Sequence, residues 1–311
     1  MPVILITGGT GLIGKNLTRH LTNKGYEVII MSRGTRHTSQ KPMVSFANWD
    51  VDEGKFDSSA IAKADFIIHL AGANVMAKRW TKNYKQEIVE SRTRSSELII
   101  KALEEIPNNV KAVISASAVG WYGTDAKPLL HKYGFIETDP AAEDFLGETC
   151  RLWEQSVKPV TRLNKRLVIL RTGIVLSNDG GALAEFKKPL RFGIAPIIGS
   201  GKQIISWIHI DDLCRMYSYA IENTATLGTY NAAAPQPVTN KNFISRLAQL
   251  VRNKFYIPVY APAFILKLFL GEKSIEILKS TTVSSAKIKE TGFTFMYPTI
   301  NAALKELTGK S

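Results

Sequence analysis

Residues Val3 to Gly14 read VILITGGTGLIG, and the fold follows from how this stretch is parsed. Val3 to Thr7 are apolar or β-branched and bounded by glycine, the composition of a strand buried on both faces. Gly8, Gly9, Gly11 and Gly14 follow. After them Leu12, Ile13, Leu17 and Leu21 recur at helical spacing. A strand, a glycine turn and a helix in that order form the context of a phosphate-binding fingerprint. The spacing Gly8-x-x-Gly11-x-x-Gly14 differs from the common G-x-G-x-x-G, but its mechanics are the same. Missing side chains allow a sharp turn, close approach of a pyrophosphate to the backbone, and tight packing of helix on strand. The helix N-terminus then offers free N–H groups and a partial positive charge.

Further along, Glu27 to Met31 reads as a second strand after Gly25, which sits where a helix C-cap belongs. That strand ends in Ser32-Arg33, with Arg36 and Lys41 beyond and no carboxylate. An acidic residue about 20 positions past the glycines would bind the ribose 2′-hydroxyl of NAD, whereas an Arg accommodates a 2′-phosphate. The spacing therefore predicts NADP(H) as cofactor, with Ser32 and Arg33 at the phosphate. Val44 to Trp49 reads as a third strand, with Asp50-Val51 near an adenine. Asp65 to Leu70 reads as a fourth, running into the small residues Ala71-Gly72. A long helical pattern spans Arg79 to Ile106 and stops at Pro107. Val110 to Ser117, a helix from Glu143 to about Thr161, and Leu167 to Thr172 complete six βα units. Such alternation implies a parallel, doubly wound α/β sheet of Rossmann type.

From Val175 the character changes. Gly180-Gly181, Pro196 and Gly199-Ser200-Gly201 mark long loops around short elements. Asp211 to Glu222 reads as a helix and Gly228 to Ala233 as a strand returning to the main sheet. Asn240 to Arg252 is amphipathic. The division expected is a cofactor domain over 1–174, with 203–234 returning to it, and a smaller C-terminal substrate lobe from 175–202 and 235–311. Phe264 to Leu270 reads as either a buried helix or an oligomer surface, and an exposed apolar patch would favour the second.

The totals set bounds. The 311 residues are enough for a sizeable core, and 45% hydrophobic with 22% charged content is ordinary for a globular protein. A first strand at residue 3 is expected to leave no room for a leader, and no apolar run approaches the ~20 residues of a membrane helix. Two cysteines, Cys150 and Cys214, do not make a disulfide framework, which points to a reduced, cytoplasmic setting. No His/Cys cluster has metal-ligand spacing, so no metal is expected. The net charge of +13 suggests an anionic partner. That partner would be a phosphorylated cofactor and substrate, or nucleic acid, but the charge is spread out without aromatic-interleaved basic runs, which favours an ordinary basic solvated surface over specific nucleic-acid binding.

The set TGGTGLIG, HLAGA, a Ser ending the fifth strand, LRTGIVL and WIHIDDL, in this order, resembles the extended short-chain dehydrogenase/reductase superfamily. Arg79-Trp80, Ser91-Arg92, Trp153-Glu154, Gly199-Ser200-Gly201 and the terminal Gly292-Phe293-x-Phe295-x-Tyr297-Pro298 are similar to its atypical, epimerase-family branch. The resemblance covers nearly the whole chain. It implies cofactor contacts at Gly8, Thr10, Gly11, Leu12, Ile13, Ser32, Arg33, Leu70, Ala71, Gly72, Glu87, Arg92 and Ile174. It also implies a departure. Extended members carry Tyr-x-x-x-Lys after the fifth strand and a Glu four residues beyond the Lys. Here Leu146 replaces the Tyr and Cys150 the Lys, while Glu154 stands. Neither Leu146 nor a Cys150 without an adjacent base can do that acid–base work.

Ser117 and Tyr122 are the candidate catalytic residues, Ser117 polarising a substrate oxygen and Tyr122 donating a proton. His209 reads as a structural anchor, with Asp211 or Asp212 capping the following helix. The expected activity is NADP(H)-dependent hydride transfer to or from a carbonyl or secondary alcohol of a small molecule. The alternative is a non-catalytic NADP(H)-binding sensor. A homodimer is a possible assembly.

Overall fold

The computed structural model describes residues 1–33, 42–125, 131, 133–253 and 255–310. The apolar run Val3–Thr7 (β1) is the third strand from one end of the parallel part of the main sheet. It is followed by Leu12–Asn23 (α1), Glu27–Ser32 (β2), Val44–Asp50 (β3), Lys55–Phe56 (β4), Ser58–Lys63 (α2) and Phe66–His69 (β5). Then come Lys82–Glu105 (α3), Ala112–Ala118 (β6), Phe145–Val157 (α4) and Arg166–Thr172 (β7). The sheet has eight strands in the order β12-β7-β6-β5-β1-β2-β3-β4, where β12 is Gly228–Ala232. Every pairing is parallel except the short β4, which runs antiparallel along β3.

Side chains alternate across a strand, and β1 shows why its run is unbroken. Ile4 and Ile6 face one layer, with Leu17 and Leu21 of α1 and Leu213 and Met216 of Ile210–Glu222 (α6). Leu5 faces the other, with Ile61 of α2, Ile99 and Ala102 of α3 and Val157 of α4. Both faces are covered, so both must be apolar. The chain order reverses around β1, which lies between β2 and β5. That is the switch point beyond whose carboxyl ends ligands bind in open α/β sheets.

The rest of the chain, 174–209 and 233–310, centres on a second core that includes Leu176, Leu183, Trp207, Phe243 and Leu304, while Ile288 and Phe293 pack into the core of the main sheet. This part contains Ile174–Leu176 (β8), Ala182–Leu190 (α5), Ile194–Ile198 (β9), Ile204–Ile205 (β10) and Trp207–His209 (β11). Beyond the return of β12 it adds Val238–Thr239 (β13), Asn240–Arg252 (α7), Ile257–Ala261 (β14), Ala263–Leu270 (α8), Lys273–Leu278 (α9), Ala286–Glu290 (α10) and Ile300–Thr308 (α11). Three two-stranded pairings, β8 with β11, β9 with β14 and β10 with β13, tie it together. Among the short elements expected between the loops is a regular helix, α5, which the sequence reading does not place. Its signals were masked by Gly180-Gly181 before it and by Pro189 inside its last turn. Leu183 and Leu190 still anchor it in the lobe core.

Two other boundaries moved. The long third helix begins after Thr81, whose hydroxyl caps it by accepting from the Tyr84 amide, and the fourth ends at Val157 in a 3-10 turn. Among the described residues no helix is long and apolar enough to cross a membrane.

Candidate functional site

Two glycines of the first turn, Gly8 and Gly14, are required by a close approach to backbone. Gly8 has φ +71°, and a Cβ there would lie 2.8 Å from the carbonyl carbon of Leu70. A Cβ on Gly14 would sit 2.5 Å from the Gly9 Cα. The turn closes through the Gly11 amide donating to the Gly8 carbonyl at 3.1 Å. Gly11 is the N-cap of α1, no side chain caps the helix, and its first turn contains no acidic residue. The first N–H groups of α1 therefore stay available to an anion. Thr10 and Gly11 are exposed there, while Ile13 turns into the core. Leu12 reaches the other way, and a Cβ on Gly181 would meet it at 3.0 Å. Leu70 and Ala71, following β5, form the opposite wall against Gly8, and Gly72 beside them is exposed.

At the end of β2 the hydroxyl oxygen of Ser32 is buried and has no hydrogen-bond partner among the described residues. Arg33 follows, exposed. Arg36 and Lys41 lie outside the described residues. A glycine cradle with uncapped helix N–H groups suits the pyrophosphate of a nicotinamide dinucleotide, so these residues fit such a cofactor.

Arg92 and Glu87 share α3 but differ in setting. Glu87 is exposed and pairs with Lys78 at 3.1 Å. Arg92 lies under Gly72, whose added Cβ would come within 3.1 Å of its Cζ, and its guanidinium stacks 4.9 Å from the Trp153 ring centroid. One Nη donates to the Ile88 carbonyl at 2.7 Å. Among the described residues no carboxylate is within ion-pair distance of it. Burial pulls its pKa below the usual guanidinium range, against the opposing influence of the Cys150 thiol and the Tyr84 phenol. Ile174, in β8, is exposed and bonded through its amide to the Ser206 carbonyl.

The opposite end of the cleft is closed to solvent. Ser117 donates to Glu154 Oε1 at 2.7 Å. Glu154 also holds Arg171 in a two-pronged pair, Nε to Oε1 at 2.8 Å and Nη2 to Oε2 at 3.0 Å. Arg171 Nη1 donates to the Tyr122 hydroxyl at 3.0 Å and the Glu137 carbonyl at 3.1 Å, and its guanidinium lies 3.6 Å from the Trp121 centroid. Tyr122 donates to Asn231 Oδ1 at 2.6 Å and stacks on Phe135. Ser117 and Tyr122 are thus brought together, but inside a sealed network rather than on the cleft wall. Burial pushes the Tyr122 phenol far above its ordinary range despite the nearby guanidinium, which argues against the proton-donor role expected of it. Sequence reading missed Arg171, Glu137 and Asn231. Arg171 stood in the LRTGIVL motif, yet nothing local shows that a strand-end Arg meets a carboxylate 17 residues away.

Where the superfamily places its acid–base pair, Leu146 packs with Trp80, Tyr84, Ile88 and Phe145. Cys150 is buried, and burial pushes its thiol up to about 12, so it is no nucleophile. In the lobe the expected cap is corrected. His209 itself caps α6, its Nδ1 accepting from the Asp211 amide at 3.1 Å while Nε2 meets Glu306 at 2.8 Å. Asp212 instead accepts from the Met296 and Tyr297 amides, which fastens the terminal Phe-x-Tyr-Pro stretch to α6.

The comparisons agree with this architecture. The NAD dependent epimerase/dehydratase family matches residues 4–233, and a domain of unknown function, DUF1731, matches residues 261–307. The epimerase family protein YfhF of Bacillus subtilis is 36% identical over 304 residues, spanning 98% of this chain and 97% of its own. A crystal structure of the human epimerase family protein SDR39U1 with NADPH superposes with TM-score 0.85 at 29% identity, covering 99% of each chain. A nucleoside-diphosphate sugar epimerase from Corynebacterium glutamicum gives TM-score 0.77 at 31% identity, and this chain covers 59% of it. A Rossmann-type sheet with the glycine cradle at its switch point, matched over most of its length, belongs to the NAD-dependent epimerase/dehydratase family.

Proposed function

We propose that the chain binds NADP(H) in preference to NAD(H) and acts as an oxidoreductase or epimerase-like protein on a carbonyl or secondary alcohol of a small molecule. The observation that carries the cofactor choice is the orphaned Ser32 hydroxyl at the end of β2, next to Arg33 and without a carboxylate. A 2′-phosphate would give that hydroxyl its missing partner and Arg33 its counter-charge. NADPH in the human relative's structure supports the same reading. The free backbone amides of Leu12 and Ile13 would hold the pyrophosphate, with Gly11 in the turn beneath it and Leu70, Ala71 and Gly72 as the facing wall. Ile174 would lie toward the nicotinamide.

When bound, the nicotinamide supplies or accepts a hydride. The chain's own contribution is orientation, exclusion of water and charge. Arg92 is the charge: a guanidinium kept without a carboxylate partner, beside the Cys150 that replaces the superfamily lysine. Arginine cannot be deprotonated in a protein, so Arg92 stabilises an oxygen or a phosphate but moves no proton. The apolar wall of Trp80, Tyr84, Phe145 and Leu146 keeps that part of the cleft dry. A second reading, a non-turning NADP(H) sensor, is favoured by one observation: both candidate catalytic hydroxyls, on Ser117 and Tyr122, are already committed inside the protein.

The test is fluorescence titration with NADPH and NADH on the wild type, Ser32→Ala and Arg33→Ala. NADPH should bind more tightly than NADH, and each substitution should weaken NADPH by about tenfold while leaving NADH unchanged, the scale of one charge-assisted bond. Equal affinities in the wild type would overturn the NADP(H) assignment. A carbonyl-substrate screen with NADPH then separates enzyme from sensor.

A further inference from the structure

The sequence stretch Phe255 to Gly271 carries a single charged residue, Lys267, in a protein whose net charge is +13. Its structure explains how it can be so apolar and still lack a place in the core. In-register strand partners present their side chains to the same face. Pro258 and Tyr260 of β14 therefore share the face of Ala195 and Ile197, which are buried against the lobe core under α5 and α7. Ile257, Val259 and Ala261 share the opposite face with Ile194, Pro196 and Ile198. Ile257 is 69% exposed there, and Phe255 just before the strand is 80% exposed. Helix α8 follows directly after Pro262 and has no buried residue at all, with Phe264, Leu268 and Phe269 each 73–76% exposed. Among the described residues the structure thus has a sheet face and a helix, both apolar and both largely open to solvent, with only the short α9 packed substantially on the helix.

We infer that this face is a dimer interface, covered by the same face of a second copy. Three observations select that occupant. The first is size: at 150–250 Å² for a buried aromatic side chain, the exposed apolar residues of β9, β14 and α8 amount to roughly 1,000 Å². That exceeds the few hundred Å² usual on a monomer and meets the ~800 Å² per partner of a stable interface. The second is charge. Two copies at +13 repel each other, but Lys267 is the sole charge in the stretch, so this face can meet its own image without burying like charges. A helix that lies on a membrane instead carries a basic polar face, which α8 lacks. The third is the strand edge. The Ile257 amide points inward, donating to the Gly193 carbonyl at 2.8 Å, so the outward slot falls on Pro258, which has no N–H. Edge-to-edge strand addition is blocked there. The contact is face to face, and a two-fold axis makes it self-complementary.

Sedimentation and light scattering on the full chain test this across micromolar concentrations. The wild type should run at twice its 34.4 kDa mass. Phe264→Glu and Leu268→Glu, both on exposed positions, should run as folded monomers, with dimer dissociation raised at least a hundredfold. Their NADPH affinity should be unchanged, which separates this result from any failure of the cofactor reading. Three outcomes would overturn the inference: a monomeric wild type, a dimer indifferent to both substitutions, or a monomer whose α8 instead drives binding to phosphatidylserine vesicles.

Discussion

The two ends of the cleft use polar groups in opposite ways. At the phosphate end, the helix N-terminus is uncapped, the Ser32 hydroxyl has no partner, and Arg33 stands exposed. At the other end, Ser117, Tyr122, Glu154, Arg171 and Asn231 satisfy one another behind a wall of apolar side chains. Unspent donors next to missing side chains mean a ligand completes the structure. Fully spent donors mean the structure is already complete. The superfamily's Glu and Ser have kept their positions here, but with Leu146 and Cys150 in place of Tyr and Lys they serve as a strut that joins β6, β7 and α4.

That contrast can be broken at its strongest point. Glu154→Gln removes the carboxylate that pairs with a guanidinium exposed by only 3%. An uncompensated buried charge costs about 3–5 kcal/mol, the largest effect expected here. Chemical denaturation should show that loss, while NADPH affinity of the folded protein changes less than twofold. Loss of affinity with intact stability would reverse the comparison and make Glu154 part of the site.

The fold was legible because each piece announces itself locally. VILIT needs two covered faces, Gly8 and Gly14 need a close approach, and the apolar repeats of α1, α3 and α7 need one buried side. The glycine turn and the strand end at Ser32 could be placed for the same reason: their residues are consecutive, or fall at fixed distances from the glycines, and the cofactor contacts proposed there await the titration. The sealed network was not legible, because it joins residues 117, 122, 154, 171 and 231 across five elements, and no local pattern states which side chains a sheet will bring together. Helix α5 was hidden by a proline in its last turn, and the Asn231 amide group sits in β12, where only the register against β7 brings it to Tyr122. His69 is a similar case. The sequence reading assigns it no role, but it bridges Thr7 Oγ1 at 2.7 Å and Ser96 Oγ at 3.1 Å, one residue before the Leu70–Ala71 wall.

His69 gives a smaller effect, read by pH. It is fully buried, and burial, aided by the field of Arg92, pulls its pKa down to about 3. The folded protein therefore holds it neutral at pH values where the unfolded chain, near 6.5, takes up a proton. The stability tied to the neutral ring is present above about pH 6.5 and is lost as pH falls toward 3. Between pH 7 and pH 5 the loss is about 2 kcal/mol. Urea unfolding at both pH values should show His69→Asn losing less by that amount over the same interval. An equal pH dependence in wild type and variant would mean that the ring is protonated in place, and that the strand end under the cradle is more open than its burial implies.

Tyr122→Phe is the finest test, because the two ends of the cleft predict different things for one oxygen atom. Removing the hydroxyl deprives Asn231 Oδ1 of its donor and Arg171 Nη1 of one acceptor, but Arg171 keeps Glu154 and the Glu137 carbonyl. With the guanidinium still paired, the cost should be about 1–2 kcal/mol. If the network is a strut, any turnover found with NADPH should survive in Tyr122→Phe within a factor of two, with an unchanged pH profile. If the hydroxyl is instead the acid, kcat should fall by two or more orders of magnitude, the usual contribution of general acid catalysis, while NADPH binding and stability hold. A phenol raised far above its ordinary range and already donating to Asn231 is poorly placed to give up a proton, so the small effect is the one the geometry demands.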